Sequence, residues 1–368
     1  MNDTKELYYY TSSDTMRFIL TKGDIFATNL KYMNDGEEYT NGLSELRAVL
    51  NEIYKGKGEI EEAAYEDAIN RQPKVYSISF SRERDLLSQW SMYAKESGVS
   101  LLMDFSKDKD GAVYEIPRND KRAGAKEVKT VPRRVYYLTR QAMKEGEYRR
   151  VSQEIIEDIG KEKTVVRKAV LDDIHDGIDV IWRELAPYVK RQEFFQEAEY
   201  RMIFTLNSLE AGDAKRDDSS IRIDYRVQDS VLKPYLDITR KGGWPVKEIM
   251  VGPGFNQKTV YDSVMHFMEN ARLCIPGYSL KEIKENGFSF LKRLNKRFDG
   301  GVCLEAEWKR TLGREKKGAD IADSFKRFIA EKRKEWDRQG IFQGKLLANV
   351  YMTDRGIILS MSETPYIY

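Results

Sequence analysis

The sequence predicts an α+β fold. Period-two alternation in Val75–Ser81 reads as strand, Val99–Phe105 resumes a strand after a helix, and apolar residues recurring every three or four positions from Ser152 to Tyr188 read as helix. The two patterns mix without βαβ regularity, which sets the class apart from a doubly wound α/β sheet. At 368 residues the chain fits either one large domain with an insertion or two modest ones. Hydrophobic residues make up 41% and charged residues 33%, a globular balance on the polar side.

The elements follow in order. Leu7-Tyr8-Tyr9-Tyr10-Thr11 is aromatic and β-prone. Ser12-Ser13-Asp14 then caps a short helix that turns Met16, Ile19 and Leu20 inward and stops at Gly23. Ile25–Asn29 is a second strand, and Met33-Asn34-Asp35-Gly36 turns into an acidic helical stretch from about 37 to 70. Val75–Ser81 is expected to be half-buried, with Ser77, Ser79 and Ser81 on one face. A helix carrying Leu86, Leu87, Trp90 and Tyr93 follows, then a strand over Val99–Phe105 with a hairpin turn at Lys107–Gly111. Arg118–Arg134 reads as a flexible basic loop, and Val135–Leu138 as a strand. Phe194–Leu206 switches to strand character, Ile249–Val251 is another strand, and Thr259–Leu273 is a helix with Val260, Val264, Phe267 and Ala271 inward. A basic helical stretch from Tyr278 to about Lys345 precedes a final strand at Gly356–Ser360.

Charge and composition narrow the chemistry. Lys plus Arg (62) nearly cancels Asp plus Glu (60), so polyanion binding has to be argued from local patches. The basic patches are Arg118–Arg134 and Lys326–Arg338; the stretch from Asp35 to Asp67 is acidic. His175, His266, Cys274 and Cys303 have no paired short spacing, which argues against zinc, iron–sulfur and disulfide frameworks, and no metal is expected. Gly252-Pro253-Gly254 lacks the Lys-Ser/Thr of a phosphate-binding P-loop, and no G-x-G-x-x-G opens a helix. The start Met1–Glu6 has no apolar signal region, so a cytoplasmic protein without membrane partners is expected.

One string concentrates acid–base chemistry. On a strand, Glu197-x-Glu199-x-Arg201 places two carboxylates and a guanidinium on one face. Its near copy, Glu305-x-Glu307-x-Lys309, reads either as a charged helix face or, with Asp299, as a metal-dependent nuclease motif.

The opening, Leu7 to Ser12 followed by Ile19-Leu20-x-x-Gly23 and a strand, resembles that of ADP-ribosyltransferase-like enzymes, DNA-modifying toxins among them. In that alignment Tyr9 and Thr11 fall at the family's His and Thr, Ser77, Ser79 and Ser81 on its second motif strand, and Glu197-x-Glu199 at its E-x-E. More closely, the chain is similar to the bacterial family catalogued as domain of unknown function 2971. That similarity rests on Tyr8–Thr11, Met33–Glu37, Phe80-Ser81 with Leu87, Trp90, Tyr93 and Ala94, Glu197-x-Glu199-Tyr200-Arg201, Ile249-x-x-Gly252-Pro253, and Ser360 before Pro365-Tyr366. Gly36 and Tyr9 depart from the family's usual proline and His or cation.

The resemblance implies a split β-sandwich core over residues 1–275 with helical insertions near 37–72 and 150–190. A basic helical subdomain over 276–349 and a strand in 350–368 that returns to the core complete that organisation. It further implies NAD as substrate, Glu199 and Glu197 as catalytic carboxylates, and Tyr9, Tyr10, Thr11, Asn34, Ser79, Ser81, Trp90 and Tyr93 around NAD. RNA or DNA is the implied acceptor, met by Arg122, Lys126, Arg133, Arg134 and Arg201, in phage defence or a toxin–antitoxin system with an inhibitory protein partner. A non-catalytic binding module of the same fold, or the nuclease built on Asp299, Glu307 and Lys309, are the competing readings.

Overall fold

The computed structural model describes residues 6–33, 74–94, 98–108, 111–138, 186–206, 220–228, 230–296, 303–314, 320–339 and 347–364. Its first strands are β1 (Glu6–Thr11), β2 (Asp24–Asn29), β3 (Val75–Ser81), β4 (Val99–Asp104) and β5 (Ala112–Ile116). Next come β6 (Lys126–Thr130), β7 (Arg133–Arg134), β8 (Tyr136–Leu138), β9 (Val189–Arg191) and β10 (Glu199–Thr205). The last are β11 (Asp224–Gln228), β12 (Val231–Arg240), β13 (Val246–Val251), β14 (Tyr351–Met352) and β15 (Ile358–Met361). The helices are α1 (Ser13–Lys22), α2 (Leu87–Tyr93), α3 (Gln257–Asn270), α4 (Leu280–Asn295), α5 (Leu304–Arg314) and α6 (Ile321–Arg338). The class is mixed α+β. Among the described residues no helix is long and apolar enough to cross a membrane.

The chain divides into two compact units. Unit 1 combines Met1–Gly23, Ser81–Lys107 and Gly242–Tyr368; unit 2 combines Asp24–Phe80 and Asp108–Lys241.

In unit 1 the strand order is β14–β15–β13–β4–β1, with β13 and β15 parallel and the other pairs antiparallel. Helix α1 forms as its ends dictate. The Ser12 hydroxyl accepts the Thr15 N–H at 3.1 Å, and Gly23 closes the helix at φ 83°, a left-handed conformation that costs glycine nothing. Met16, Ile19 and Leu20 turn inward as the spacing predicts. Trp90 of α2 packs edge-on against Tyr10 with ring centroids 4.7 Å apart. A Cβ at Gly252 would come within 2.7 Å of the Trp90 ring, so only glycine lets the chain after β13 pass this close. Helices α4, α5 and α6 bury Phe290, Trp308 and Phe325 together with Met352 of β14 and Ile358 of β15.

In unit 2 the order is β3–β2–β12–β5–β6, with β10 beside β3, β7 beside β10 and β11 beside β12. A separate parallel pair joins β8 and β9. The sheet has two chemically different faces. Ile25 and Ala27 of β2 stand opposite Ile238 and Leu236 of β12, and all four are fully buried. The other face carries Phe26 and Thr28 opposite Asp237 and Tyr235.

Several expectations need correction. Val75–Ser81 is buried on both faces rather than half-buried, Ser79 alone being intermediate. Arg118–Arg134 is not a loop throughout: Lys121–Ala123 forms a 3-10 turn, β6 pairs with β5, and β7 pairs with β10. Lys107–Gly111 closes no hairpin, because β4 pairs with β1 and β13 whereas β5 pairs with β6 and β12. Helix α2 buries Gln89 and Trp90 in place of Leu86 and Leu87, and α3 buries Tyr261, Val264 and Met268 in place of Val260, Phe267 and Ala271. Strand character starts at Glu199, not Phe194: Gln192–Glu197 is a 3-10 helix that ends at Ala198 with φ 44°. The expected helix over 37–70 and most of the one over 152–188 lie outside the described residues.

Candidate functional site

The E-x-E-x-R string builds a buried charge cluster in unit 2, by a different geometry from the single strand face expected. The turn at Ala198 takes Glu197 off the strand, and both carboxylates converge on a residue the sequence did not flag, Lys190 of β9. Lys190 Nζ donates to Glu197 Oε2 at 2.8 Å and to Glu199 Oε2 at 3.3 Å, and it lies 4.7 Å from the Phe194 ring centroid. Arg201 grips Glu199 in a two-point fork, Nε to Oε1 at 2.7 Å and Nη2 to Oε2 at 2.9 Å, while its Nη1 donates to the Pro187 carbonyl at 2.7 Å. Glu199 is only 5% exposed and Arg201 2%.

Burial dominates the electrostatics. It pushes the Glu199 carboxyl above its ordinary range; Lys190 opposes the rise and Glu197 adds to it. The Arg201 fork opposes it too, because a bidentate guanidinium favours the ionised carboxylate. Burial likewise brings the Arg201 guanidinium down to about 9. The Ser79 hydroxyl on β3 belongs to the electrostatic surroundings of Glu199, yet it forms no hydrogen bond of good geometry, so a buried donor and acceptor stands unused beside the carboxylate.

The segment after the basic stretch closes over the same strand. The Glu199 N–H donates to the Tyr137 hydroxyl at 2.8 Å, and the Val135 N–H donates to the Glu199 carbonyl at 2.8 Å. Strand β7 then pairs Arg134 with Tyr200 and Arg133 with Arg201. Of the expected acceptor-binding residues, Arg133 and Arg134 therefore flank the carboxylate strand, both partly exposed. Arg122 is exposed in its 3-10 turn, Lys126 is half-buried on β6, and Arg201 is inside the cluster rather than on a surface.

The remaining expected NAD contacts, Asn34 apart, fall in unit 1. Tyr9, Tyr10 and Thr11 lie on β1, Ser81 ends β3, and Trp90 and Tyr93 lie on α2. Tyr10 and Trp90 are engaged in packing: the Tyr10 hydroxyl donates to the Glu83 carbonyl at 2.7 Å and accepts the Leu86 N–H at 3.2 Å, and Trp90 Nε1 donates to Asp85 at 2.7 Å. Tyr9 is half-buried and Thr11 buried. Asn34 lies outside the described residues. The nuclease motif has no strand: Glu307 and Lys309 are on helix α5, where Glu307 pairs with Lys332, and Asp299 lies outside the described residues.

Unit 1 has a charge cluster of its own that the sequence did not announce. Glu248 of β13, 1% exposed, accepts from Arg84 at 2.7 Å, from the Ser360 hydroxyl at 2.8 Å and from Arg293 at 3.2 Å. Burial alone would raise its pKa, but Arg84 and Arg293 outweigh that and hold it at about 2.

No family model matches the chain, and neither a curated protein nor a solved structure does.

Proposed function

We propose that this chain is an NAD-consuming ADP-ribosyltransferase that acts on a nucleic acid acceptor, with its carboxylate centre at Glu199 and Glu197. The observation that carries the reading is the register of β7 against β10, which sets Arg133 and Arg134 beside the strand that begins at Glu199. Arg133 and Arg134 stand more than sixty positions before Glu197 and Glu199 in the sequence, and in unit 2 β7 and β10 make them neighbours. The unused Ser79 hydroxyl next to Glu199 fits a ribose hydroxyl as partner. A buried carboxylate raised by burial beside a second acid, as Glu199 is, is also a mark of functional sites, since its desolvation is hard to justify by stability alone.

NAD as substrate brings a cationic leaving group, so breaking its glycosidic bond develops positive charge on the ribose, and this is the charge a carboxylate stabilises. Glu199 takes that role. Glu197 serves the acceptor as general base, and Lys190 holds the two carboxylates in one arrangement. A cytoplasmic toxin of phage defence or of a toxin–antitoxin pair, held in check by an inhibitory protein, is the setting this chemistry suits.

One observation favours a second reading. The Arg201 fork occupies both oxygens of Glu199, as in a structural ion pair of a non-catalytic binding module. Incubation with labelled NAD and separate RNA, DNA and protein pools separates the two. Transferase activity predicts label on the RNA or DNA pool and its loss in Glu199→Gln, with the far-ultraviolet circular dichroism unchanged. Label on no pool leaves the binding module as the function.

A further inference from the structure

The polar face of the unit 2 sheet holds a second cluster, on β2, β3, β11 and β12, that the carboxylate centre does not use. Arg226 of β11 donates from Nη2 to Thr28 Oγ1 at 2.9 Å. Its Nε–H is buried with no acceptor, and among the described residues no carboxylate pairs with it. Of the acids on this face, Asp224 and Asp237 each accept from Arg222 at 2.7 Å, and Asp24 accepts from the Thr239 hydroxyl at 2.5 Å. Thr28 stands directly opposite Ser77 on β3, so their Cβ atoms are about 5 Å apart. The Ser77 hydroxyl, on a residue 3% exposed, also has no partner. The Arg226 Nε–H and the Ser77 hydroxyl, both close to Thr28, are thus buried donors left unsatisfied, each at a cost of about 1–3 kcal/mol that an anion's oxygens would relieve.

An aromatic surface adjoins this corner. Phe26 and Tyr235, both partly exposed, stack in a tilted pair with ring centroids 4.5 Å apart, and Arg226 lies 6.0 Å from the Phe26 ring. A flat ring for stacking next to donors for a phosphate is the division of labour by which proteins hold a nucleotide.

We propose that Phe26 and Tyr235 stack the base of a nucleotide whose phosphate is bound by Arg226, Thr28 and Ser77. The nucleotide is either free or one unit of a nucleic acid strand; the chemistry is the same. The site stands without the transferase reading, because it is tested by binding and not by turnover.

Titration calorimetry of the full chain with AMP, with adenosine, with inorganic phosphate and with a short single-stranded oligonucleotide tests it. AMP or the oligonucleotide is expected to bind and adenosine to bind more weakly. Arg226→Gln should lose about tenfold in affinity, as for one charge-assisted contact. Ser77→Ala should lose about threefold, and it leaves no buried group unpaired, so its fold is safe. Binding of the oligonucleotide but not of AMP places the natural nucleotide in a strand. No binding of either, adenosine binding as tightly as AMP, or affinities unmoved in both variants would each overturn the assignment, whatever the NAD experiment gives.

Discussion

Unit 1 and unit 2 each bury a glutamate against arginine, and the two sites differ in what surrounds the carboxylate. Glu248 has two arginines and a serine hydroxyl and, among the described residues, no second buried acid paired with the same cation, so attraction exceeds the cost of burial and its pKa falls to about 2. Glu199 shares Lys190 with Glu197, and burial with that neighbouring acid drives its pKa upward. The same ingredients therefore make a clamp in one unit and a poised group in the other. The clamp ties β13 to β15 and α4, since Ser360 and Arg293 belong to those elements. The poised group begins a strand and stands beside an unused hydroxyl.

The largest effect that sharpens this contrast is on stability. Glu248→Gln leaves Arg84 and Arg293 without their shared counter-charge and should cost about 3–5 kcal/mol, read as a fall in the urea midpoint with unchanged slope. Glu199→Gln should cost less, because burial already disfavours the ionised forms of both Glu199 and its partner Arg201, Arg201 keeps the Pro187 carbonyl, and Glu197 still pairs with Lys190. Acid makes the same point with opposite signs. A depressed carboxylate stabilises the fold above its unfolded pKa, so the Glu248 contribution, roughly 3 kcal/mol, is lost as the pH falls from about 4.5 towards about 2. A raised one does the reverse: the Glu199 contribution is present below about 4.5 and is lost as the pH rises through its folded value. Equal losses in the two glutamine variants, or matching pH dependences, would erase the distinction between the sites.

The intermediate effect concerns Lys190. It is the cation that opposes the rise of the Glu199 pKa, so Lys190→Met should raise that pKa further. The acid limb of the pH profile for NAD consumption is then expected to move to higher pH. A purely structural Lys190 would lower the melting temperature and leave the limb where it was. Restoration of the profile by Lys190→Arg would identify the charge as the working feature.

How much of this was legible in the sequence depended on the distance over which the causes act. Helix α1 was readable to the residue, because Ser12 and Gly23 act on their own backbone neighbours. The apolar strand β4 was equally plain, its burial following from composition. Glu197 was misplaced because an alanine gives no hint of a left-handed turn; φ 44° at Ala198 is imposed by the surrounding structure. Lys190 carried no signal at all, since a lysine next to Val189 reads as a solvated charge until two carboxylates are folded onto it. Arg118–Arg134 misled for the same reason. Its charges suggested solvent, while pairing of β6 with β5 and of β7 with β10 is a long-range property that local composition does not record.

The smallest expected effect tests the feature on which the functional reading stands, the placement of β7. Arg133 and Arg134 are partly exposed, each with its guanidinium near an aromatic ring, Arg133 over Tyr188 at 5.9 Å and Arg134 over Tyr136 at 4.5 Å. Exposed phosphate contacts contribute through counterion release, so removing one changes affinity modestly and evenly across sequences. Arg133→Ala should therefore weaken binding of single-stranded RNA or DNA by a few-fold and reduce the slope of log affinity against log salt by about one. The same substitution made at Arg122, exposed in its 3-10 turn, is expected to do less, because no register pair ties that turn to the carboxylate strand. If Arg122→Ala matches Arg133→Ala in both affinity and salt slope, the basic segment binds as a diffuse patch. The pairing of β7 with β10 then carries no functional meaning, and unit 2 loses the feature that sets its charge cluster apart from the clamp in unit 1.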